Sequence, residues 1–147
     1  VQIHPHGIRR ELKPHFLLDT NIAILKLFPG IQENVVRSLF ATEGLKAVVL
    51  ETYGSGNAPR KPWFLQLLSD TSRRGIVIVN VTQCGSGTVE MERYETGYQL
   101  ISAGVVSGYD ITTESAVAKL MFLLGHDYEP AKVRELMKRP LAGEITV

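Results

Sequence analysis

Short apolar segments alternate with amphipathic helical segments along most of this chain. The apolar segments are rich in β-branched residues and are predicted to be strands at 21–28, 46–50 and 76–81, with a brief last strand at 105–108. Such runs are typical of strands that are buried on both faces. Strands and helices that alternate at this spacing build βαβ units with right-handed crossovers. The sequence therefore predicts an α/β fold of three layers, a parallel sheet of about four strands flanked by helices.

The helical segments carry apolar residues three or four positions apart. Helices are predicted at 31–42, at about 62–75, from 96 onward, at about 113–125 and at 130–139. Thr96 is expected to be the N-cap of the third helix, and Thr112 or Thr113 that of the fourth. The inward face of the fourth helix is predicted to hold Val117, Leu120, Met121 and Leu124.

Length and composition indicate one ordinary globular domain. The chain has 147 residues, of which 44% are hydrophobic and 21% are charged. The net charge of +1 favours neither nucleic acid nor an anionic membrane as a partner. No apolar run approaches the roughly 18–20 residues that span a bilayer. The single cysteine, Cys84, excludes an intramolecular disulfide within the chain and favours an intracellular location.

Residues 1–21 have no sustained periodicity and contain Pro5, Gly7 and Pro14. They are predicted to form a linker from an upstream domain, in a chain that is cut from something longer. The segment His4-Pro5-His6 offers too few ligands for a metal site, so no metal is expected.

Two glycine-rich loops follow the second and third predicted strands, at 50–59 and 82–87. Ligands of open α/β sheets bind at the carboxyl ends of the strands, so these loops are the expected binding region. Neither loop matches a phosphate-binding or dinucleotide-binding pattern, and no cofactor is predicted. The residues near them do not supply a nucleophile, a base and a charge-stabilising group together, so no complete active site is expected.

Four residues in and near these loops have two interpretations each. Asn57 can donate and accept at once, which suits an amide or carboxylate ligand, or it can stabilise a turn with positive φ. Cys84 is a nucleophile or an inert thiol, and no basic neighbour in sequence favours the former. Tyr94 lies in a charged, irregular stretch and either packs or binds. Glu51, at the end of a buried strand, is either solvated or paired with a ligand or a cation.

Four strings keep their order and spacing over about residues 22–147 and together are specific. They are Leu-Glu-Thr-Tyr-Gly-Ser-Gly-Asn-Ala-Pro at 50–59, Thr-Gln-Cys-Gly-Ser-Gly at 82–87, Tyr-Glu-Thr-Gly at 94–97 and Ala-Gly-Val-Val-Ser-Gly-Tyr-Asp-Ile-Thr-Thr-Glu at 103–114. They resemble the C-terminal domain of type I, cytoplasmic-type bacterial L-asparaginases. The resemblance implies a Rossmann-like or flavodoxin-like domain at 22–147, preceded by the linker.

The resemblance implies a role in hydrolysing L-asparagine to L-aspartate and ammonia in the cytoplasm. The family's catalytic threonines lie in an N-terminal domain whose Thr-Gly-Gly-Thr-Ile-like and Thr-Asp-Thr-like motifs do not occur here. This chain alone is therefore expected to be inactive. Its implied partners are L-asparagine, the missing N-terminal domain and further copies in a dimer or tetramer.

The family's C-terminal domain lends groups to the active site of a neighbouring subunit. By resemblance these are Asn57 and a residue of the loop at Tyr94–Glu95, for which Tyr94 is favoured. Some type I enzymes bind asparagine at an allosteric site, to which Glu51 and Cys84 correspond in position. Where those enzymes have an arginine, this chain has Glu51, whose carboxylate would repel that of the effector. The resemblance therefore leaves allosteric control doubtful.

Two other hypotheses stay open. The chain is a ligand-binding α/β module without chemistry, or it belongs to an amidohydrolase that acts on another amide, such as glutamine or a nucleic-acid-linked amide.

Overall fold

A computed structural model of the chain describes residues 13–93 and 95–146. Its sheet has four strands in the order β1 (Ile22–Lys26), β2 (Ala47–Thr52), β3 (Val77–Thr82) and β4 (Val106–Ser107), and the neighbouring strands are parallel. The helices are α1 (Glu33–Phe40), α2 (Pro62–Arg73), α3 (Glu95–Ser102), α4 (Thr113–Leu124) and α5 (Pro130–Met137). The predicted α/β class and parallel sheet of about four strands are confirmed.

The order of the strands explains how the helices divide between the two faces of the sheet. Each crossover moves one strand further in the same direction, so right-handed connections place α1, α2 and α3 on one face. Their side chains Phe40, Phe64 and Leu100 share one core. The opposite face must be covered by the helices after β4, and α4 and α5 contribute Leu120 and Val133 to a second core there.

Side chains of the central strands alternate between these two cores. In β2, Val48 and Leu50 point to the core under α1–α3, whereas Ala47 and Val49 point to the core under α4 and α5. Because both faces are covered, the strand is apolar at nearly every position rather than at alternate ones. This is why short continuous apolar runs, and not a period of two, identified the strands.

The register of β2 and β3 determines where the two glycine loops begin. Thr52, the last residue of β2, pairs with Thr82, the last residue of β3. The loops at 50–59 and 82–87 therefore leave the same edge of the sheet from adjacent positions. β1 also ends there, with Lys26 opposite Glu51.

Two expectations about the helices are wrong in part. Thr96 lies inside α3, which begins at Glu95, so it is not the N-cap. In α4, Val117 and Met121 are only half-buried, whereas Leu123 and Lys119 are buried. The inner stripe is broader than predicted because α4 packs against both the sheet and the end of the chain. Thr112 is confirmed as the N-cap of α4, since its hydroxyl accepts from the N–H of Ser115 at 3.2 Å.

The described part of the predicted linker, residues 13–21, contains no helix or strand. It packs along α4, where the N–H of Asp19 donates to the carbonyl of Met121 at 3.0 Å. The His15 ring meets the ring of Phe122 edge-on, with centroids 5.6 Å apart. Residues 1–12 of the predicted linker lie outside the described residues. Within the described ranges, no helix combines the length and the apolar character that a bilayer crossing requires.

Candidate functional site

The first glycine loop closes into a tight turn between Tyr53 and Asn57. The N–H of Tyr53 donates to the Asn57 carbonyl at 2.9 Å, and the N–H of Asn57 donates back to the Tyr53 carbonyl at 2.8 Å. Gly56 has a φ of +103°, and a Cβ there would lie 2.7 Å from Cγ1 of Val89, so both conformation and space require glycine. Asn57 itself does not have a positive φ, so its interpretation as a left-handed turn residue is wrong.

A buried asparagine of β3 holds this loop from below. The Thr52 hydroxyl donates to Oδ1 of Asn80 at 2.6 Å, and Nδ2 of Asn80 donates to the Gly56 carbonyl at 3.2 Å. Beside it, the Thr82 hydroxyl donates to the Gly54 carbonyl at 2.5 Å. The sequence interpretation did not single out Asn80. The sequence did contain an indication of its role, because an asparagine inside an apolar, buried strand needs hydrogen-bond partners for both the oxygen and the nitrogen of its amide.

The side chain of Asn57 is held by a residue from a different element. Thr96, buried in the first turn of α3, donates from its hydroxyl to Oδ1 of Asn57 at 2.7 Å. No described residue accepts a hydrogen bond from Nδ2 of Asn57. Beside Thr96, Gly97 packs so closely on the Met91 backbone that a Cβ would overlap its carbonyl oxygen. This packing fixes the start of α3 next to the first loop.

Tyr94, the second residue predicted to be lent to a neighbouring subunit, lies outside the described residues. The structure does place the segment after it. Glu95, which is exposed, lies 3.7 Å from the guanidinium of Arg60, the residue after the first loop. The start of α3 and the first loop, which are distant in sequence, therefore meet at the surface through Glu95 and Arg60.

Glu51 and Cys84 line one cavity of about 490 Å³ between the second glycine loop and the start of α4. Glu51 is paired rather than free: its carboxylate lies 3.4 Å from Nζ of Lys26 and accepts from the Thr113 hydroxyl at 2.6 Å. Of the two interpretations of Glu51, the one with a paired cation is found, and the cation is Lys26 of β1. The Cys84 thiol is exposed, and the backbone N–H of Cys84 donates to the Thr82 hydroxyl.

The other charged groups of this cavity are also acidic. Asp110 and Glu114 line it, and its described lining contains neither lysine nor arginine. Hydrogen bonds from the backbone N–H and the hydroxyl of Thr146 hold the pKa of the Asp110 carboxyl below its usual value. A cavity lined by three acidic side chains, and by no lysine or arginine among the described residues, suits neither an anion nor the carboxylate of a free amino acid.

The described part of the chain contains two histidines, His15 and His126. Neither histidine there contacts a hydroxyl or a thiol: His126 bonds the Phe122 carbonyl, and its Nε2 lies 2.9 Å from Nδ1 of His15. Among residues 13–93 and 95–146, no group of three histidine, cysteine, aspartate or glutamate side chains is placed to hold a metal ion.

Comparison with known proteins identifies the family of this chain. The family described as "Glutaminase/Asparaginase C-terminal domain" matches residues 21–137. "L-asparaginase 1" of Escherichia coli strain K12 is 44% identical over 142 residues, which cover 97% of this chain and 41% of that protein. The human "60 kDa lysophospholipase" is 44% identical over 133 residues, which cover 90% of this chain and 23% of that protein.

A solved structure agrees in fold as well as in sequence. "L-asparaginase I" from Vibrio cholerae superposes with a TM-score of 0.84 at 40% identity, over 89% of this chain and 39% of that one. The chain thus spans about two fifths or less of the relatives it matches. The family match spans β1 to α5 and includes both glycine loops and the start of α3. On these grounds the chain belongs to the glutaminase/asparaginase C-terminal domain family.

Proposed function

We propose that this chain is the C-terminal part of a cytoplasmic L-asparaginase and completes the active site of a neighbouring subunit. It lends Asn57, and also Tyr94, to a reaction whose nucleophile lies in an upstream domain. The reaction is the hydrolysis of L-asparagine to L-aspartate and ammonia. The chain alone does not carry it out.

The observation that carries this proposal is the way in which the backbone and the side chain of Asn57 are held. Its backbone is locked by Tyr53, its side-chain oxygen is held by Thr96, and its Nδ2 has no acceptor among the described residues. A fixed polar group without its own partner suits recognition of a ligand from outside the domain.

The strand order supports a site shared with other chain segments. In open sheets the binding crevice forms where the strand order reverses. The order β1-β2-β3-β4 has no such reversal among the described strands, and the first glycine loop, which carries Asn57, does not line the cavity at the carboxyl edge between the second loop and α4. A second wall opposite Asn57 then comes from another domain or another copy, in agreement with the proposed homo-oligomer.

The first experiment compares ammonia release from asparagine by this 147-residue chain and by the full-length protein, with circular dichroism to verify that both are folded. Activity only in the full-length protein is expected. Activity in the short chain would contradict the proposal. Glutamine tested in parallel distinguishes the asparaginase from an amidohydrolase with another amide substrate.

A complementation experiment tests whether Asn57 acts in a neighbouring subunit. Full-length Asn57→Ala is mixed with a full-length variant that lacks the upstream nucleophile threonine, and the oligomers are dissociated and reassembled together. Mixed oligomers are expected to regain activity, because one interface then contains an intact nucleophile and an intact Asn57. Equal inactivity of mixed and unmixed samples, with exchange verified by differently tagged subunits, would show that Asn57 serves its own subunit.

A further inference from the structure

The side-chain amide of Asn57 has an oxygen, Oδ1, and a nitrogen, Nδ2, and only Oδ1 forms a hydrogen bond with another described residue. Oδ1 accepts the hydroxyl proton of Thr96, at 2.7 Å between the oxygens. Nδ2 has no acceptor within the described residues. An amide oxygen can accept two hydrogen bonds, so Oδ1 keeps one lone pair, whereas both N–H donors of Nδ2 have no acceptor among the described residues. The donor end of the Asn57 amide therefore suits an oxygen atom of a ligand.

Hydrogen bonds already hold the backbone of Asn57 in place. Its N–H and carbonyl both bond Tyr53, and the loop is held to β3 through Asn80 and Thr82. The remaining freedom is rotation of the side chain, which could present either end of the amide. Within the described chain, Thr96 is the partner that removes it.

The packing around the start of α3 determines the position of Thr96. It is buried, and Gly97 beside it lies against the Met91 backbone with no room for a Cβ. The segment that contains Met91 also contacts the first loop, because Val89 fills the space beside Gly56. The start of α3 and the first loop thus pack against the same short segment, which sets the distance between Thr96 and Asn57.

We propose that Thr96 is a positioning residue that fixes the orientation of the Asn57 amide, so that Nδ2 donates to a carboxylate or carbonyl oxygen of the substrate. This inference rests on the proposed function, since it concerns the residue that the chain lends. A donor fixed in advance avoids the reorganisation that a freely rotating amide would need. Thr96 acts through Asn57 and does not touch the substrate.

The test uses the full-length protein and a double-mutant cycle. Thr96→Val keeps the shape of the side chain and removes the hydroxyl, and kcat/KM is expected to fall roughly tenfold, as for one lost hydrogen bond that positions a reacting group. Thr96→Ser restores the hydroxyl and is expected to remain close to wild type. In an Asn57→Ala background, Thr96→Val is expected to have no further effect, because its route through Asn57 is gone.

Asn57→Asp tests the role of the donor separately. Aspartate still accepts from Thr96 but cannot donate through Oδ2, so kcat/KM is expected to fall at least as far as in Asn57→Ala. Thr71→Val is the matched control, since Thr71 is a buried helical threonine in α2. Wild-type kinetics in Thr96→Val, or effects of Thr96→Val and Asn57→Ala that simply add, would overturn the inference.

A crystal structure of full-length Thr96→Val gives a readout that does not depend on activity. The Asn57 side chain is expected to rotate or to occupy two orientations while the loop backbone stays in place. An unchanged Asn57 would overturn the inference even if the enzyme were impaired. Wild-type activity in Asn57→Ala would instead contradict the proposed function, while the orientation of Asn57 in the Thr96→Val crystal would still decide the role of Thr96.

Discussion

Nζ of Lys119 lies 2.6 Å from Oε1 of Glu144, and their side chains are only 4% and 12% exposed. The ammonium also donates to the carbonyls of Met137 and Arg139. The carboxylate accepts from the backbone N–H groups of Leu141 and Ala142. One ion pair thus holds the end of the chain to α4 and to the end of α5.

Lys119→Met is expected to lower the free energy of unfolding by about 3 kcal/mol or more, because it leaves the Glu144 carboxylate buried without its cation. Urea unfolding followed by circular dichroism measures the change. The control is Lys132→Met, which removes one member of an exposed ion pair with Glu135 and should cost less than about 1 kcal/mol. Equal costs for the two variants would contradict a stabilising role for the buried pair.

The same pair predicts how stability depends on pH. Burial raises the pKa of Glu144, but hydrogen bonds from Lys119 and from the backbone outweigh that effect and lower the pKa from its ordinary 4.5 to about 2. A carboxyl with a lower pKa in the folded state stabilises the fold above its unfolded pKa and loses that contribution as the pH falls towards 2. The contribution lost between about pH 5 and pH 2 is on the order of 3 kcal/mol.

Glu144→Gln should therefore flatten part of the acid limb of a stability curve measured between about pH 5 and pH 2. Asp19 and Asp110 also have lowered pKa values, through Lys46 and Thr146 respectively, so some slope remains. Glu43→Gln, at an exposed position, is the control. An acid limb that is the same in Glu144→Gln and wild type would show that Glu144 does not contribute.

Asn57→Ala in the full-length protein is expected to lower kcat/KM while the fold stays intact. The loss of one hydrogen bond that leaves a buried partner unsatisfied is typically about 1–3 kcal/mol, which corresponds to roughly a five- to 150-fold loss of rate. Asn21→Ala, at an exposed asparagine before β1, controls for the substitution itself. Wild-type kinetics in Asn57→Ala would remove this residue from the site.

Gly97→Ala tests the packing that sets the distance between α3 and the first loop. A Cβ at Gly97 would overlap the Met91 carbonyl, so we expect a loss of about 1–3 kcal/mol in unfolding free energy. Gly85→Ala is a matched control, because a Cβ there meets nothing within 4 Å and the position has no positive φ. Its expected effect is within about 0.5 kcal/mol. Similar Tm values for both variants would show that α3 can shift at no cost.

The acidic lining of the cavity at Glu51 predicts that the full-length protein has hyperbolic kinetics. Its lining carboxylates repel the carboxylate of asparagine, so rates of the full-length protein are expected to rise hyperbolically with asparagine concentration. Steady-state ammonia release over a wide concentration range measures the shape of the curve. A sigmoidal curve that becomes hyperbolic in Glu51→Ala would show that asparagine regulates the protein through this cavity.

Much of the fold could be predicted because its signals are local. The runs at 46–50 and 76–81 are apolar at nearly every position, and this indicates strands covered on both faces. The N-cap at Thr112 depends on one hydroxyl and its nearest N–H. The same local argument wrongly predicted Thr96 to be an N-cap. Its hydroxyl donates to a residue 39 positions away and does not cap the backbone of its own helix.

The sequence by itself determined the alternation of strands and helices and the two glycine loops, since each depends on residues within one element or turn. The parallel sheet follows from that alternation. The tertiary structure decided which polar groups meet: Thr96 with Asn57, Lys26 with Glu51, and Lys119 with Glu144. A hydrogen bond or a buried ion pair depends on ångström distances between separate elements. Those distances result from the packing of the whole domain, and no local pattern of residues contains them.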